Sequence, residues 1–297
     1  MRVQILITGA YGQLGSEFQV LEKKYQQFQF HFYNSRSLDV SSSISINKAF
    51  QKKKIDYVIN CGAFTQVDNA EDQSKKTFDI NARGLKFLSN ACNSQGATLI
   101  HISSDYVYDS LNNRPLKEDD ANRPQGQYAK SKLEGDKIIQ KICDKWIIIR
   151  TSWIYSSFGN NFVKTMLRLG NEKNELNIVN DQVGAPTYAK DIAEIILYFV
   201  IKQEDEEVDS ELSLLNEIYN FSNQGITTWD AFAKKIFDIS GIDCHVNGIT
   251  TEEYGAKAPR PLWSVLSKVK IETALNVKIR TWESALRDCL ALLALKT

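Results

Sequence analysis

The chain has 297 residues, 43% of them hydrophobic, and its 36 lysines and arginines balance 36 aspartates and glutamates. This is a globular composition, and the length suggests one large domain or two smaller ones. The zero net charge argues against nucleic-acid binding. No apolar run reaches the roughly 18 residues of a membrane span, and the N-terminal run is too short for a signal peptide. Five scattered cysteines without a C-x-x-C pair predict reduced thiols in the cytoplasm.

The first half of the chain alternates short apolar runs with segments of helical period. Strands are predicted at residues 3–8, 28–33, 57–60, 98–103 and 146–150. Helices are predicted at 13–25, 44–54, 69–93 (one helix or a pair) and 131–143. The alternation predicts an α/β fold with a Rossmann-type, doubly wound parallel sheet that is covered on both faces.

A glycine-rich loop follows the first predicted strand and opens the first predicted helix, with Gly9, Gly12 and Gly15 in G-x-x-G-x-x-G spacing. The first glycine allows a tight turn, the second lets a pyrophosphate approach the backbone, and the third lets the helix pack closely on the strand. The helix N-terminus, with Gln13 and Leu14, offers free amide groups to phosphates. This context predicts a dinucleotide site.

The second strand ends without the acidic residue that NAD-binding sites usually place there. The segment 34–37 contains Arg36, and the first acid is Asp39. Because a guanidinium can meet a 2′-phosphate, the sequence favours NADP(H), with NADH left open.

Residues 1–150 are therefore expected to form the NADP(H)-binding domain, with about 185–222 returning to it. The chain becomes irregular after residue 150, and residues 151–184 and about 223–297 are expected to form a smaller, interleaved substrate-binding lobe. The acidic stretch 203–217 is predicted to be a solvated surface insertion.

Tyr128 and Lys132 are four residues apart, which places both on one face of a helix. A lysine beside a phenol, together with ribose hydroxyls and an oxidised nicotinamide, is expected to lower the phenol pKa from about 10. Upstream, Ser104 follows the fourth predicted strand, at the edge of the sheet where ligands bind in such folds. Its hydroxyl can hydrogen-bond a substrate oxygen while Tyr128 donates a proton.

These features resemble the extended short-chain dehydrogenase/reductase superfamily and, more narrowly, its dTDP-4-dehydrorhamnose reductase family. The matching segments are 12–15, 58–68, 81–84, 102–109, 128–135, 150–155, 161–163, 181–187 and 258–261. The glycine loop and the Tyr/Lys pair are shared across the superfamily. The segments that begin at Arg150, Asp181 and Ala258 narrow the resemblance to this family.

The resemblance implies NADPH-dependent reduction of the C4 ketone of dTDP-4-dehydro-L-rhamnose to dTDP-L-rhamnose, the last step of dTDP-rhamnose biosynthesis. Tyr128 would donate the proton, Lys132 would bind the nicotinamide ribose and Ser104 would orient the carbonyl. The other implied contacts are Asp39, Val40, Gly62, Ala63 and Thr65 for the cofactor, and Val67, Tyr106, Trp153 and Arg260 for the nucleotide sugar. Core packing is an alternative role for Trp153.

The resemblance also allows a homodimer and a Mg²⁺ ion at a dimer contact. Glu17 is the one candidate ligand, although an ordinary surface position on the first helix also explains it. The three histidines, His31, His101 and His245, have no metal-ligand spacing and are expected to be structural.

Other functions within the same fold stay open. A 4,6-dehydratase needs a glutamate after the Asp105 position, where this chain has Tyr106, so elimination is disfavoured. Reduction or epimerisation of another nucleotide 4-ketohexose is an alternative. A non-catalytic, NADP-binding regulatory subunit is a further one.

Overall fold

The computed structural model describes residues 2–109, 113–205 and 214–295. The strands are β1 (Val3–Thr8), β2 (Phe28–Phe32), β3 (Tyr57–Asn60), β4 (Thr98–Ser104), β5 (Trp146–Thr151), β6 (Ile154–Tyr155), β7 (Glu175–Val179), β8 (Val183–Gly184), β9 (Thr187–Tyr188), β10 (Glu217–Phe221), β11 (Thr227–Thr228) and β12 (His245–Ile249). The helices are α1 (Gln13–Leu21), α2 (Ser43–Phe50), α3 (Val67–Asp72), α4 (Ser74–Phe78), α5 (Gly84–Gln95), α6 (Gly126–Ile142), α7 (Phe162–Glu172), α8 (Ala189–Glu204), α9 (Trp229–Ser240), α10 (Thr251–Tyr254), α11 (Val269–Leu275) and α12 (Trp282–Ala294). A π-helical turn spans Asp79–Arg83, and a 3-10 turn spans Asp105–Val107.

The central sheet has six parallel strands in the order β10–β5–β4–β3–β1–β2. Successive residues of β1 point to opposite faces: Ile5 and Ile7 join one buried cluster and Leu6 joins another. The first cluster includes Phe18 of α1, and the second includes Leu88 of α5. Helices thus cover both faces, and the predicted Rossmann-type fold is confirmed.

Most predicted elements of the first half are present, with different ends. Helix α6 begins at Gly126, five residues before the predicted start, because Glu71 Oε1 accepts a hydrogen bond from the free backbone N–H of Gln127 (2.7 Å). That cap comes from another helix. The segment predicted as one helix or a pair is divided into α3, α4, the π-helical turn and α5, with the first break at Gln73, whose φ and ψ are −109° and 38°.

The second half is more regular than expected. Helices α7, α9 and α12 pack around Met166, Phe232 and Trp282, so the description of this region as irregular is wrong. Each of the three helices begins at a side chain that caps its own first turn, as listed: Asn161 for α7, Thr228 for α9 and Thr281 for α12. These caps are the sequence signal that marks the helix starts.

The chain crosses back to the sheet after residue 185. Helix α8 packs against α1, and β10 lies beside β5 at the sheet edge. The acidic stretch 203–217 lies largely outside the described residues, between Asp205 and Leu214.

The strand order predicts where a ligand crevice lies in the sheet. Strands β2 and β3 lie on opposite sides of β1, so the loops after β1 and β3 diverge at their carboxyl ends. Such a switch point is where open α/β sheets bind ligands.

Candidate active site

The glycine loop between β1 and α1 is shaped by close backbone approach. Gly9 has a φ of +63°, and a Cβ there would lie 2.8 Å from backbone atoms of Cys61 and Gly62 in the loop after β3. A Cβ at Gly15 would lie 2.4 Å from the carbonyl oxygen of Gly9. Gly12 is the exposed N-cap of α1, so the amide groups of the first helical turn open toward the crevice without a side chain in front of them.

A cleft of about 570 Å³ lies along the carboxyl ends of β1 to β4. The predicted cofactor residues that line it are Gly9, Gly12, Gln13, Leu14, Asp39, Val40, Gly62, Ala63, Thr65, Tyr128 and Lys132. Gly15 does not line it, because Gly15 lies beneath the loop and serves its packing. Arg36 is also outside the lining, on an exposed turn at the rim, where Asn34 Oδ1 accepts a hydrogen bond from its backbone N–H (3.0 Å).

Other cleft residues escaped prediction. Asn34 and Ser35 come from the turn after β2, and Gly159 and Asn160 come from the loop before α7. The last two carry no local signal, since only the folding of the second half over the sheet brings them to the cleft.

Tyr128 and Lys132 lie one turn apart on α6 and both face the cleft. Lys132 is 1% exposed, and its Nζ donates a hydrogen bond to the carbonyl oxygen of Ile102 (2.7 Å). Ser104 is buried at the end of β4, where its hydroxyl donates to Asp105 Oδ1 (3.0 Å) and also contacts the Tyr128 phenol. Tyr128 and Lys132 therefore lie together in the cleft, whereas Ser104 is not among the residues that line it and meets them through its contact with Tyr128.

Burial controls the proton affinities here. It raises the pKa of Tyr128 to about 12, an effect that the hydrogen bond with Ser104 partly opposes. It lowers the pKa of Lys132 to about 8, opposed by the charge of Asp136. The expected lowering of the phenol pKa therefore does not arise from the protein side chains alone. A high pKa keeps the phenol protonated, which is the form that a proton donor requires.

His101 was expected to be merely structural, yet it lies beside Lys132. Its Nε2 is 3.1 Å from Lys132 Nζ, and its Nδ1 is 3.0 Å from the side-chain amide of Asn60. Burial, and then the charge of Lys132, lower the pKa of His101 well below 6.5. The available signal was a histidine within the apolar run from Leu99 to Ile102.

Asn81 holds helix α6 against the loop after β3. Its side chain accepts a hydrogen bond from the backbone N–H of Phe64 (2.8 Å) and donates to the carbonyl oxygen of Phe64 and to Ser131 Oγ (both 3.0 Å). Asn81 lies in the π-helical turn, a distortion often found at functional sites. Asn81 begins the segment 81–84, one of the segments on which the resemblance to the reductase family is based, and these hydrogen bonds give it a structural role.

The predicted substrate residues Val67, Tyr106, Trp153 and Arg260 are not among the residues that line the cleft. Tyr106 meets the ring of Tyr128 edge-on, with centroids 5.6 Å apart. Trp153 stacks on Trp229 at 3.8 Å, in a backbone conformation with φ of +48°. Gly184 leaves room for this stack, since a Cβ there would lie 2.9 Å from the Trp153 ring.

Arg260 connects the two halves of the molecule. Its guanidinium donates to both carboxylate oxygens of Asp68 at 3.1 and 2.7 Å, and to the carbonyl oxygen of Ala258 at 3.0 Å. Asp68 follows Val67 at the start of α3. The bidentate pair fixes the guanidinium near Tyr106. Burial raises the pKa of Tyr106, and the positive charge of Arg260 opposes part of that effect.

Comparisons with known proteins place this geometry in a family. A family model described as RmlD substrate binding domain matches residues 1–295. The spore coat polysaccharide biosynthesis protein SpsK of Bacillus subtilis is 38% identical over 97% of this chain and 96% of its own length. A solved dTDP-4-dehydrorhamnose reductase from Clostridium acetobutylicum is 39% identical, with a TM-score of 0.91 over 98% of this chain and all of that one. One from Bacillus anthracis, in complex with NADP, is 32% identical with the same TM-score and coverage.

The chain belongs to the dTDP-4-dehydrorhamnose reductase family. The match covers both halves of the chain, so the resemblance based on motifs is confirmed. Membership in the family explains why Tyr128, Lys132 and the glycine loop occur together with the segment that carries Gly184.

The Mg²⁺ site that the resemblance to the reductase family allowed gains no support. Glu17 is not at the surface: it is 2% exposed on α1 and accepts a hydrogen bond from Ser156 Oγ (2.6 Å). Within residues 2–109, 113–205 and 214–295, no group of three or more histidine, cysteine, aspartate or glutamate side chains could hold a metal ion. The same ranges contain no helix of the length and apolarity that crossing a bilayer requires.

Proposed function

We propose that this chain is an oxidoreductase that uses NADPH to reduce the C4 ketone of dTDP-4-dehydro-L-rhamnose to dTDP-L-rhamnose. The proposal rests on one observation in a member of this reductase family: Tyr128 and Lys132 line the same cleft as the glycine loop, and Ser104 contacts the Tyr128 phenol. The five free cysteine thiols support a reducing, cytoplasmic setting.

The cleft fits a dinucleotide. The exposed backbone at Gly12 and the N-terminus of α1 suit a pyrophosphate, and the volume is typical of cofactor sites. Asp39 and Val40 line the adenosine end, while Lys132 lies at the nicotinamide end. The NADP in the Bacillus anthracis relative supports the same assignment.

Arg36 is proposed to select NADPH over NADH. Its exposed turn adjoins Ser35 and Asp39, which line the cleft, so its long side chain can reach a phosphate on the adenosine ribose. A guanidinium pairs well with such a phosphate.

A bound NADPH supplies the hydride for the ketone carbon. The side chains of this protein complete the reduction at the ketone oxygen. Tyr128 donates its phenol proton, and Ser104 hydrogen-bonds the same oxygen, so the negative charge that develops there is neutralised. Lys132 binds the ribose and keeps a positive charge near the phenol. Proton donation of this kind typically contributes about 10²–10⁴-fold to the rate.

The nucleotide sugar is proposed to bind between the sheet and the lobe of 151–184 and about 223–297. Trp153 and Tyr106 are proposed to offer aromatic surfaces to the sugar, together with Val67 from the start of α3. Arg260 is proposed to bind the diphosphate while Asp68 holds its guanidinium in place.

The experiment that tests the proposal follows the oxidation of NADPH and, separately, NADH by absorbance. The 4-keto sugar nucleotide is made in the same cuvette from dTDP-glucose by a 4,6-dehydratase and a 3,5-epimerase. Turnover that depends on the epimerase supports the proposed substrate. Turnover without it shows reduction of a different 4-ketohexose and contradicts the substrate assignment. Binding of NADPH without any turnover contradicts the enzyme function and favours a regulatory subunit.

A further inference from the structure

A row of polar side chains crosses the apolar sheet beside Lys132. Thr8, Asn60 and His101 are register partners on the adjacent strands β1, β3 and β4. All three are buried, with exposures of 1%, 2% and 1%. Thr8 and Asn60 are the last residues of their strands, whereas His101 lies inside β4. Buried polar groups are costly unless they are hydrogen-bonded, so the row calls for an explanation.

The row forms a continuous hydrogen-bonded chain. Thr8 Oγ1 accepts from the backbone N–H of Gly62 (3.1 Å) and donates to Asn60 Oδ1 (2.5 Å). The Asn60 amide contacts His101 Nδ1 (3.0 Å), and His101 Nε2 contacts Lys132 Nζ (3.1 Å). The chain therefore joins Lys132 to the loop after β3, which lines the cofactor cleft.

The hydrogen bonds define how the imidazole can be protonated. A 2.5 Å separation suits O–H···O between Thr8 and Asn60, which turns the amide NH₂ group toward His101. His101 Nδ1 then accepts, and a neutral ring carries its proton on Nε2, ready to donate to an unprotonated Lys132. If the Asn60 amide turns over, its NH₂ group faces Thr8 Oγ1 and its oxygen accepts from a proton on His101 Nδ1. His101 Nε2 is then unprotonated and accepts a hydrogen bond from a lysine ammonium. A neutral ring can thus hydrogen-bond Lys132 in both of its charge states.

The charged groups around this contact come from two elements. On α6, Asp136 raises the pKa of Lys132, and Tyr128 is one turn away. On β5, Arg150 forms an ion pair with Asp136. Asp136 is paired with Arg150, and the carbonyl oxygen of Ile102 already accepts a hydrogen bond from Lys132 Nζ (2.7 Å). His101 Nε2 is therefore the second neutral group that holds Nζ from the side of the sheet, and the one that is a side chain.

We propose that His101 is a positioning residue, which Asn60 and Thr8 orient, and which holds Lys132 Nζ in place in both charge states of the lysine. The role rests on the proposed function, since it serves the lysine assigned there to the ribose and the phenol. His101 itself does not line the cleft, so it acts through Lys132.

Two substitutions separate this role from a structural one. In His101→Gln the side-chain amide reaches the position of Nε2 and keeps the contact with Lys132. In His101→Asn the amide reaches only the position of Nδ1, so it keeps Asn60 and leaves Lys132. We expect turnover of the Gln variant to stay within about threefold of wild type, and that of the Asn variant to fall by about tenfold or more. His31→Gln, at a half-buried ring outside the cleft, is the matched control.

A second readout does not depend on turnover. The titration of Lys132 is followed by NMR of ¹⁵N-lysine-labelled protein, with its signal assigned by its loss in Lys132→Met. The wild-type pKa of about 8 is expected to persist in His101→Gln. It should rise toward 10.5 in His101→Asn, because water that enters the vacated space solvates the ammonium.

Equal turnover and equal lysine titration in the Gln and Asn variants would overturn the role of His101. If the Asn variant does not fold, Thr8→Val removes the hydroxyl that orients Asn60, and an unchanged Lys132 titration in that variant overturns the proposal instead. An inactive wild type would contradict the proposed function alone, since the NMR titration still decides whether His101 controls Lys132.

Discussion

Arg150 Nε lies 3.1 Å from Asp136 Oδ2, and the two side chains are only 2% and 0% exposed. Arg150 belongs to β5, whereas Asp136 lies one turn after Lys132 on α6, so the ion pair holds α6 against the sheet. The Arg150 guanidinium also lies 4.8 Å from the centre of the Tyr108 ring. A buried pair of this kind contributes little net stability, but loss of one partner leaves an uncompensated charge.

Replacement of one partner is therefore expected to be more harmful than replacement of both. Arg150→Met should lower the free energy of unfolding by about 3–5 kcal/mol, because the Asp136 carboxylate stays buried without its cation. The double variant Arg150→Met with Asp136→Leu should recover part of that loss. Urea unfolding of the two variants and the wild type measures both values. A double variant less stable than Arg150→Met would contradict this account.

Tyr128→Phe tests the proton donor. The substitution removes one hydroxyl and keeps the ring that contacts Tyr106, so NADPH should still bind. Turnover should fall by at least about a hundredfold, since general acid catalysis contributes about 10²–10⁴-fold. The measurements are NADPH oxidation under saturating substrate and NADPH affinity by fluorescence titration. A Phe variant with wild-type turnover would exclude Tyr128 as the donor.

Substitution of Gly15 should affect stability, whereas substitution of Gly12 in the same loop should affect NADPH binding. Gly15→Ala places a Cβ 2.4 Å from the carbonyl of Gly9, so the loop must shift and the protein should lose stability by about 1–3 kcal/mol. At Gly12 the nearest atom is 3.2 Å away, and the residue is exposed to the cleft. Gly12→Ala should therefore weaken NADPH binding with little change in the melting temperature. Thermal unfolding and NADPH titration distinguish the two, and the opposite pattern would reverse the assignment of roles.

The low pKa of Lys132 has a consequence for stability. In the folded protein its pKa is about 8, against its usual 10.5, so between these values the unfolded chain binds more protons and wild-type stability rises with pH. Lys132→Met removes this contribution. The free energy of unfolding of the variant, relative to wild type, should fall by about 3 kcal/mol as the pH rises from about 7 to about 11. Equal pH dependence in both proteins would show that Lys132 titrates normally.

Arg36→Ala tests the cofactor preference. The loss of the guanidinium should weaken NADPH binding by about tenfold or more, the usual value of a charge-assisted contact, while NADH affinity stays within about twofold. Dissociation constants for both cofactors, measured at the same ionic strength, give the ratio. Arg83→Ala, at an exposed arginine that pairs with Asp79 instead, is the control. A ratio unaffected by Arg36→Ala would assign the selection of NADPH to another side chain.

The sequence by itself determined the elements whose signals are local. Buried aliphatic runs gave β1 and β3 to within one residue, and the glycine spacing after β1 predicted a dinucleotide loop, because backbone clashes at Gly9 and Gly15 leave no alternative residue. That Tyr128 and Lys132 share one face follows from the geometry of a single helix. Residues within a turn of each other keep their relationship in any protein where that helix forms.

Only the tertiary structure decided the surroundings of those residues. The start of α6 depends on Glu71, a cap from another helix, and the environment of Lys132 depends on strand register, which brings His101 beside Asn60. Burial of Glu17 depends on Ser156, far along the chain. Contacts between distant segments have no period or spacing in the sequence, since they arise from the packing of whole elements. The sequence therefore predicts which side chains are candidates for the chemistry, while packing sets their proton affinities and their partners.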